Sequence, residues 1–237
     1  MSAAEKRLIV CPQDKGGVGK SFVAALLFDF LTEQGVRLKT FDLDHANSTF
    51  NRLVPEAEFI DTDVDLDKLA ALDRIVHPLS SDEVDVVLVD TRAAGGEKLR
   101  HYLDEVRLTK LQEELGLRLV FVVIATDDKD ANSQLAELID AYGSDVGWLV
   151  MKNLRDSEHL DLYEQSNSKR RLADMGAVEV DVPPLAEVTR NALQRANLTV
   201  GRGRTAEALH LLDRSRCVRY HERMAAEFGK ARELLGV

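Results

Sequence analysis

The sequence predicts an α/β domain, a mostly parallel sheet with helices packed on both faces. Two observations predict it. Short apolar runs of strand length alternate with stretches whose apolar residues recur at helical spacing. One run, RLVFVVIAT at 118–126, is apolar without alternation, as a central strand covered on both faces must be. A chain of 237 residues is long enough for one large domain of this kind. No low-complexity linker or internal repeat divides it, so residues 1–237 are expected to form a single unit. Ligands of such sheets bind at the carboxyl ends of strands, so the chemistry should follow the apolar runs.

The elements read in order as follows. RLIVCP (7–12) is a buried strand. A helix runs from Lys20 to about Glu33, with Val23, Leu26, Leu27, Phe30 and Leu31 on one broad stripe and Gly35 as its C-cap. LKTFDL (38–43) is the next strand, EFID (58–61) a short one, and a helix covers 65–76. DVVLVD (85–90) is a strand, and residues 96–115 read as one helix ending at Gly116. After the 118–126 strand come a helix at 128–142 and the strand VGWLVMKN (146–153). A polar, helix-capable stretch (155–175) leads to AVEVDV (177–182), which Pro183 and Pro184 stop. Helices fill the rest, broken by Gly201 and Gly203, with the C-terminal helices set apart from about 203. Tyr220, Met224, Phe228, Ala231 and Leu235 form one stripe, expected to pack onto the domain because the basic flanks of a membrane anchor are missing.

Composition narrows the function classes. A formal net charge of −10 argues against a protein that coats nucleic acid over its whole surface, though a local basic patch remains open. Cys11 and Cys217 are far apart, lack metal-ligand spacing and read as reduced thiols. The opening MSAAEKRLIVCP holds too short an apolar run for a signal peptide, and no segment approaches the roughly 20 apolar residues of a membrane span, so a soluble cytoplasmic protein is expected.

The densest chemistry lies at DKGGVGKS, Asp14 to Ser21, between the first strand and the first helix. Gly16, Gly17 and Gly19 let the backbone curl and aim N–H groups at phosphate oxygens. The helix starting at Lys20 adds its positive dipole end. Lys20 can reach the β- and γ-phosphates, and the Ser21 hydroxyl can ligate magnesium. The expected nucleotide-binding set is Gly16, Gly17, Val18, Gly19, Lys20, Ser21 and Phe22, and the expected fold is that of a phosphate-loop NTPase. The general pattern wants glycine where Asp14 stands, so the Asp14 side chain must point away or pair with a cation. After DVVLV, Asp90 sits at a strand tip in the Walker B arrangement and can hold the magnesium. Gly95 and Gly96 suit a switch loop, while Arg92 reads either as a phosphate neighbour or as a surface arginine.

KGGVGKS resembles the deviant Walker A loop of the MinD/ParA family. The resemblance implies that Lys15 is the signature lysine, which reaches across a dimer interface to the partner's nucleotide, while Lys20 serves its own. The alternative for Lys15 is a solvated loop lysine. By the same resemblance FDLDHA carries the family's Asp-x-Asp motif: Asp42 would support the magnesium shell and Asp44 would orient the attacking water. The usual Asp-Pro-Gln ending is absent, since His45 and Ala46 follow. In the family an asparagine at the position of Asn153 recognises adenine, whose donor and acceptor edge an amide matches. The Asn-Lys-x-Asp motif of the GTPases is not found, which favours ATP. Pro183 would pack against the base. The implied ligands are ATP and Mg2+, and the implied partners are a second copy in an ATP-dependent homodimer and an unidentified protein.

A finer resemblance points to plasmid conjugal-transfer ATPases of the TraL type. It rests on DTRAAGGEKLRHYLDEVRLTKLQEELGLRLVFVVIAT, on FDLDHANSTFNRL and on LTVGRGRTAEAL. It implies a slow, dimerising switch ATPase serving plasmid transfer or maintenance. The alternatives are a partition or positioning ATPase that binds DNA without sequence preference, a biosynthetic phosphate-loop enzyme, and a nucleotide-binding module with little turnover. Lys15 weighs against the biosynthetic enzyme. For DNA, Arg202, Arg204, Arg214, Arg216, Arg219 and Arg223, with Lys169, Arg170 and Arg171, offer cations; interrupting acids leave solvated helix faces as the other reading.

Overall fold

The computed structural model describes residues 5–44, 48–61, 68–81, 83–91 and 95–237. In chain order it runs β1 (Lys6–Val10), α1 (Lys20–Glu33), β2 (Leu38–Asp42), α2 (Thr49–Leu53), β3 (Glu58–Phe59), α3 (Lys68–Val76), β4 (Val86–Asp90), α4 (Gly96–Glu105), α5 (Leu108–Leu115) and β5 (Leu117–Ala125). It continues through α6 (Lys129–Tyr142), β6 (Gly147–Asn153), α7 (Asp161–Glu164), α8 (Asn167–Asp174), β7 (Val178–Val182), α9 (Glu187–Ala196), α10 (Val200–Gly203), α11 (Leu211–Phe228) and α12 (Arg232–Leu235).

The strands form one all-parallel sheet in the order β3-β2-β4-β1-β5-β6-β7. The chain leaves β1 toward β2, returns at β4 and then crosses over β1 to β5. Connections therefore diverge on either side of β1, which opens a crevice at its carboxyl end. Alternation within each strand sorts the two cores. Ile9, Val86, Leu88, Val120 and Val122 face α1, α2 and α9 to α12. Leu8, Val10, Val87, Val89 and Phe121 face α3 to α8.

Helix α1 departs from the expected stripe. Every residue from Val23 to Leu31 is buried, because α2, α10 and α11 pack over the side turned away from the sheet. That burial includes Asp29. Its carboxylate accepts from Thr199 Oγ1 and from the Gly201 N–H, both at 2.6 Å. Burial pushes its pKa up to about 6, against the pull of those two hydrogen bonds.

Two further expectations are corrected. The single helix at 96–115 is two helices, α4 and α5. Arg107 takes a left-handed conformation (φ 50°), and the turn delivers Leu108 into the core. Gly201 lies inside α10 and does not break it, whereas Gly203 is the last residue of α10, before the non-helical stretch 204–210. A further break falls at Asn197 (φ 51°), and the C-terminal helical part begins at Glu187 rather than near 203. The two glycines serve close approach: a Cβ on Gly201 would stand 2.5 Å from Asp29 Cγ, and one on Gly203 2.6 Å from Leu193 Cδ2.

The stripe Tyr220, Met224, Phe228, Ala231 and Leu235 is buried against the sheet, as expected. Both cysteines are free and buried. Among the described residues no helix is long and apolar enough to cross a membrane. Several of the cations considered for DNA are engaged within the chain. Arg202 pairs with Glu56, Arg204 with Glu33, Arg216 with Asp213, Lys169 with Glu164 and Arg171 with Asp140.

The α1–α10 contact generates a prediction. Gly201→Ala should lower stability by about 1–3 kcal/mol, the usual cost of forcing a methyl group into a filled core. Urea denaturation measures it, and an unchanged midpoint would contradict the close approach to Asp29.

Candidate nucleotide site

The residues entering the loop are held from both sides before the loop begins. Gln13 continues the sheet with its side chain, accepting from Ile124 N at 2.6 Å and donating to Ile124 O at 3.2 Å on β5. On the β4 side, Thr91 Oγ1 donates to Cys11 O at 2.6 Å. Asp14 points away from the loop. Its Oδ1 accepts from Glu97 N at 3.0 Å, in the first turn of α4, and its Oδ2 accepts from Arg100 Nη2 at 2.7 Å. This is the cation that the sequence demanded.

The loop itself turns on two left-handed glycines, Gly17 (φ 78°) and Gly19 (φ 105°). At Gly19 a side chain would also meet Asn153 Nδ2 at 3.0 Å. Lys20, the first residue of α1, folds back so that its Nζ donates to Lys15 O at 2.7 Å. The ammonium is buried, and burial lowers its pKa, while Cys11, Asp90, Asp14 and Asp44 oppose the shift. Lys15 goes the other way. Its N–H donates to Gln134 Oε1 at 2.9 Å, and its Nζ lies 2.8 Å from Asp130 and 3.4 Å from Asp128, at the start of α6. The two lysines thus occupy different environments: Lys20 is inside the loop and Lys15 is on its outer side.

The acids converge because of strand register. Asp42 on β2 pairs in register with Asp90 on β4, and Val10, next to the loop, pairs with Val89. Asp42 is spoken for: Oδ1 accepts from Asp44 N and Oδ2 from Asn51 N, each at 2.8 Å. It anchors the turn after β2 and the start of α2, and burial raises its pKa. Asp44 is buried just beyond the strand end, within electrostatic range of Asp90. Asp90 differs from both. It has no exposed surface, and neither carboxylate oxygen has a hydrogen-bond partner. Burial pushes its pKa up to about 7, Asp42 and Asp44 add to the rise, and the nearby Ser21 hydroxyl and Lys20 oppose it.

An orphaned, buried carboxylate beside a serine hydroxyl at the mouth of a glycine loop fits a bound cation. Among the described residues no group of three or more His, Cys, Asp or Glu side chains could hold a metal by itself. Such a site suits magnesium, which is usually held by one or two carboxylates together with phosphate oxygens and water. Ser21 and Asp90 would contribute the protein's share, with Asp42 behind them.

On the far side of the loop a cleft of about 860 Å3 opens, lined by Gly19, Phe22, Asn153 and Pro183 among others. Asn153 Nδ2 donates to Val18 O at 2.7 Å and Oδ1 accepts from Arg155 N at 3.1 Å, so this amide also braces the loop. Pro183 O accepts from Tyr220 OH at 2.8 Å. The structure therefore places Asp42, Asp44 and Asp90 at the strand tips on one side of the loop, and Gly19, Phe22, Asn153 and Pro183 in the cleft on its other side. His45 and Arg92 lie outside the described residues. Sequence reasoning missed Arg100, Gln13, Gln134 and Arg155, all of which contact the loop or the residues leading into it through pairings invisible to local spacing.

Comparison with known proteins gives the family and the fold. A model of the CobQ/CobB/MinD/ParA nucleotide-binding domain matches residues 9–169. Protein MobD of Acidithiobacillus ferrooxidans is 24% identical over 183 residues, covering 77% of this chain and 79% of that protein. A TraL protein of Escherichia coli is 25% identical over 225 residues, covering 86% and 89%. Another TraL protein of the same species is 29% identical over 148 residues, covering 60% of each. The finer resemblance read in the sequence therefore holds. In fold, the chain is similar to the MinD cell division protein of Aquifex aeolicus, with a TM-score of 0.52 and 11% identity over 94% of this chain and 98% of that one. It is similar to the same organism's MinC:MinD complex at a TM-score of 0.51, with 12% identity over 94% and 96%.

The orphaned carboxylate has a measurable consequence. With a folded pKa of about 7 against 3.8, Asp90 binds a proton in the native state between these values that the unfolded chain does not hold. Its contribution to stability is therefore full below about pH 4 and is lost as pH rises toward 7. Asp90→Asn should raise nucleotide-free stability at pH 8 by about 1–3 kcal/mol, with the gap closing toward pH 5, and should abolish the extra stabilisation given by magnesium with ATP. Thermal melts of both proteins across pH test this. A destabilised Asn variant at pH 8, or one still stabilised by magnesium-ATP, would contradict the assignment.

Proposed function

The chain belongs to the CobQ/CobB/MinD/ParA nucleotide-binding family, and on that premise we propose that it is a slow, ATP-hydrolysing switch that dimerises on ATP and serves plasmid conjugal transfer or maintenance. The observation that carries this reading is the separation of the two loop lysines. Lys20 Nζ is buried within its own loop, where a triphosphate would replace the Lys15 carbonyl as its partner. Lys15 Nζ is turned outward and, among the described residues, pairs with the exposed carboxylates of Asp128 and Asp130. A surface pair of this kind is worth little, so Lys15 is available to a second molecule at small cost.

In this reading each group has one task. The Gly16–Gly19 backbone and the start of α1 bind the phosphates. Magnesium, when bound at Ser21 and Asp90, neutralises charge on the β- and γ-phosphate oxygens. Lys20 counters that charge from within the subunit, and Lys15 counters it from the partner subunit. Asp44 orients the attacking water. Asn153 and Pro183 hold the base in the cleft. TraL and MobD relatives favour conjugal transfer over partition as the setting, and the engagement of Arg202, Arg204 and Arg216 in intramolecular pairs weighs against a DNA-coating surface.

Mixing two inactive variants tests the division of labour. Lys15→Ala and Lys20→Ala should each abolish ATP turnover. Mixed in equal amounts, they can form dimers in which an intact Lys20 meets a partner's intact Lys15, and turnover should return in part although each variant alone is inactive. No recovery on mixing would rule out action across the interface, and an active Lys20→Ala protein would sink the site assignment.

A further inference from the structure

Asp14 stands where the general loop pattern has glycine, one residue before the phosphate-binding stretch. A free carboxylate there would repel a polyphosphate. It lies within electrostatic range of the Lys20 ammonium, so its charge is felt at the site. Its surroundings form a compact contact between the loop entrance and α4. Asp14 Oδ1 accepts from Glu97 N at 3.0 Å, capping the first turn of α4. Asp14 Oδ2 accepts from Arg100 Nη2 at 2.7 Å, and Arg100 Nη1 donates to Pro12 O. The pair is only 22–23% exposed on either side chain, so solvent screens it less than an ordinary surface pair. The backbones themselves touch: a Cβ on Gly96 would stand 2.1 Å from Pro12 O. Helix α4 begins six residues after Asp90, at the end of the segment that leaves the acid cluster.

We propose that Asp14 and Arg100 form a latch that ties the nucleotide loop to α4, with Arg100 as the positioning residue that neutralises Asp14 so that the loop accepts a triphosphate. The proposal rests on the nucleotide-binding reading above and adds a residue to it. Arg100 reaches two points of the loop entrance with one planar fork, a geometry that lysine cannot reproduce in full. The latch gives α4 a direct connection to the loop, so that a shift of either is transmitted to the other. The unusual Asp14 is then a capping and pairing group that is tolerated near phosphates only while Arg100 covers it.

The test is a binding titration of a fluorescent ATP analogue with magnesium, run on four proteins: the unaltered chain, Arg100→Ala, Arg100→Lys and the double variant Asp14→Asn with Arg100→Ala. Asn at position 14 keeps an oxygen for the Glu97 N–H while removing the charge. Arg100→Ala should weaken binding by about ten-fold or more, because it uncovers a like charge beside the phosphates. Arg100→Lys should lose only about two- to three-fold, because the charge is kept. The double variant should bind tighter than Arg100→Ala alone and recover most of the loss. A purely structural pair would give the opposite order, the double variant being as weak as the single one or weaker. That order, or an Arg100→Ala protein that binds like the unaltered chain, overturns the latch. Nucleotide-free melts identify any variant that fails to fold, and the Lys and double variants keep the comparison decisive if Arg100→Ala does. An unaltered chain that binds no magnesium-ATP would sink the nucleotide reading itself.

Discussion

The nucleotide-loop end of the sheet is arranged around one buried carboxyl group. Asp90 sits at the tip of β4 with no solvent and no hydrogen-bond partner for either oxygen. Such a group is costly to keep ionised unless something meets it. The parallel pairing of β1 with β4 sets the glycine loop beside it, and the pairing of β4 with β2 sets Asp42 and Asp44 on its other side. Lys20 is the nearby cation, and it is itself buried and donates to the Lys15 carbonyl. The proposed magnesium-bound polyphosphate is the kind of partner that this arrangement of carboxylate, serine and glycine loop suits.

The surrounding charges are kept in balance by pairs that cross large distances in sequence. Asp14 is covered by Arg100 from 86 residues away, and Lys15 is met by Asp130 from 115 residues away. The first pair is half-sheltered and bidentate with backbone, the second open to solvent. This difference matches their proposed uses: one pair holds the loop to α4, while the other releases a lysine.

Much of this was legible in the sequence because the loop chemistry is local. DKGGVGKS needs only its neighbours to declare a strand–loop–helix junction, and DVVLVD declares a buried strand ending in an acid. All seven strands were placed to within about two residues, the usual uncertainty of such boundaries. What stayed hidden is non-local. Asp29 reads as an unexplained acid in an apolar run until α10 arrives from 170 residues away to bond it. Gly201 and Gly203 read as helix breakers because a glycine's use as a contact point depends on which side chain it faces. Residues 96–115 keep a helical pattern throughout, and only the left-handed Arg107 shows that the chain turns to bury Leu108. Arg100 carries no motif, and its importance comes entirely from the loop that it touches.

In the proposed function the outward lysine makes this loop a switch between subunits. Molar mass in solution, measured by light scattering with magnesium-ATP and then with magnesium-ADP, tests it most directly. A monomer with ADP and a dimer with ATP are expected, and no ATP-dependent dimer for Lys15→Ala. An identical mass with both nucleotides would contradict it.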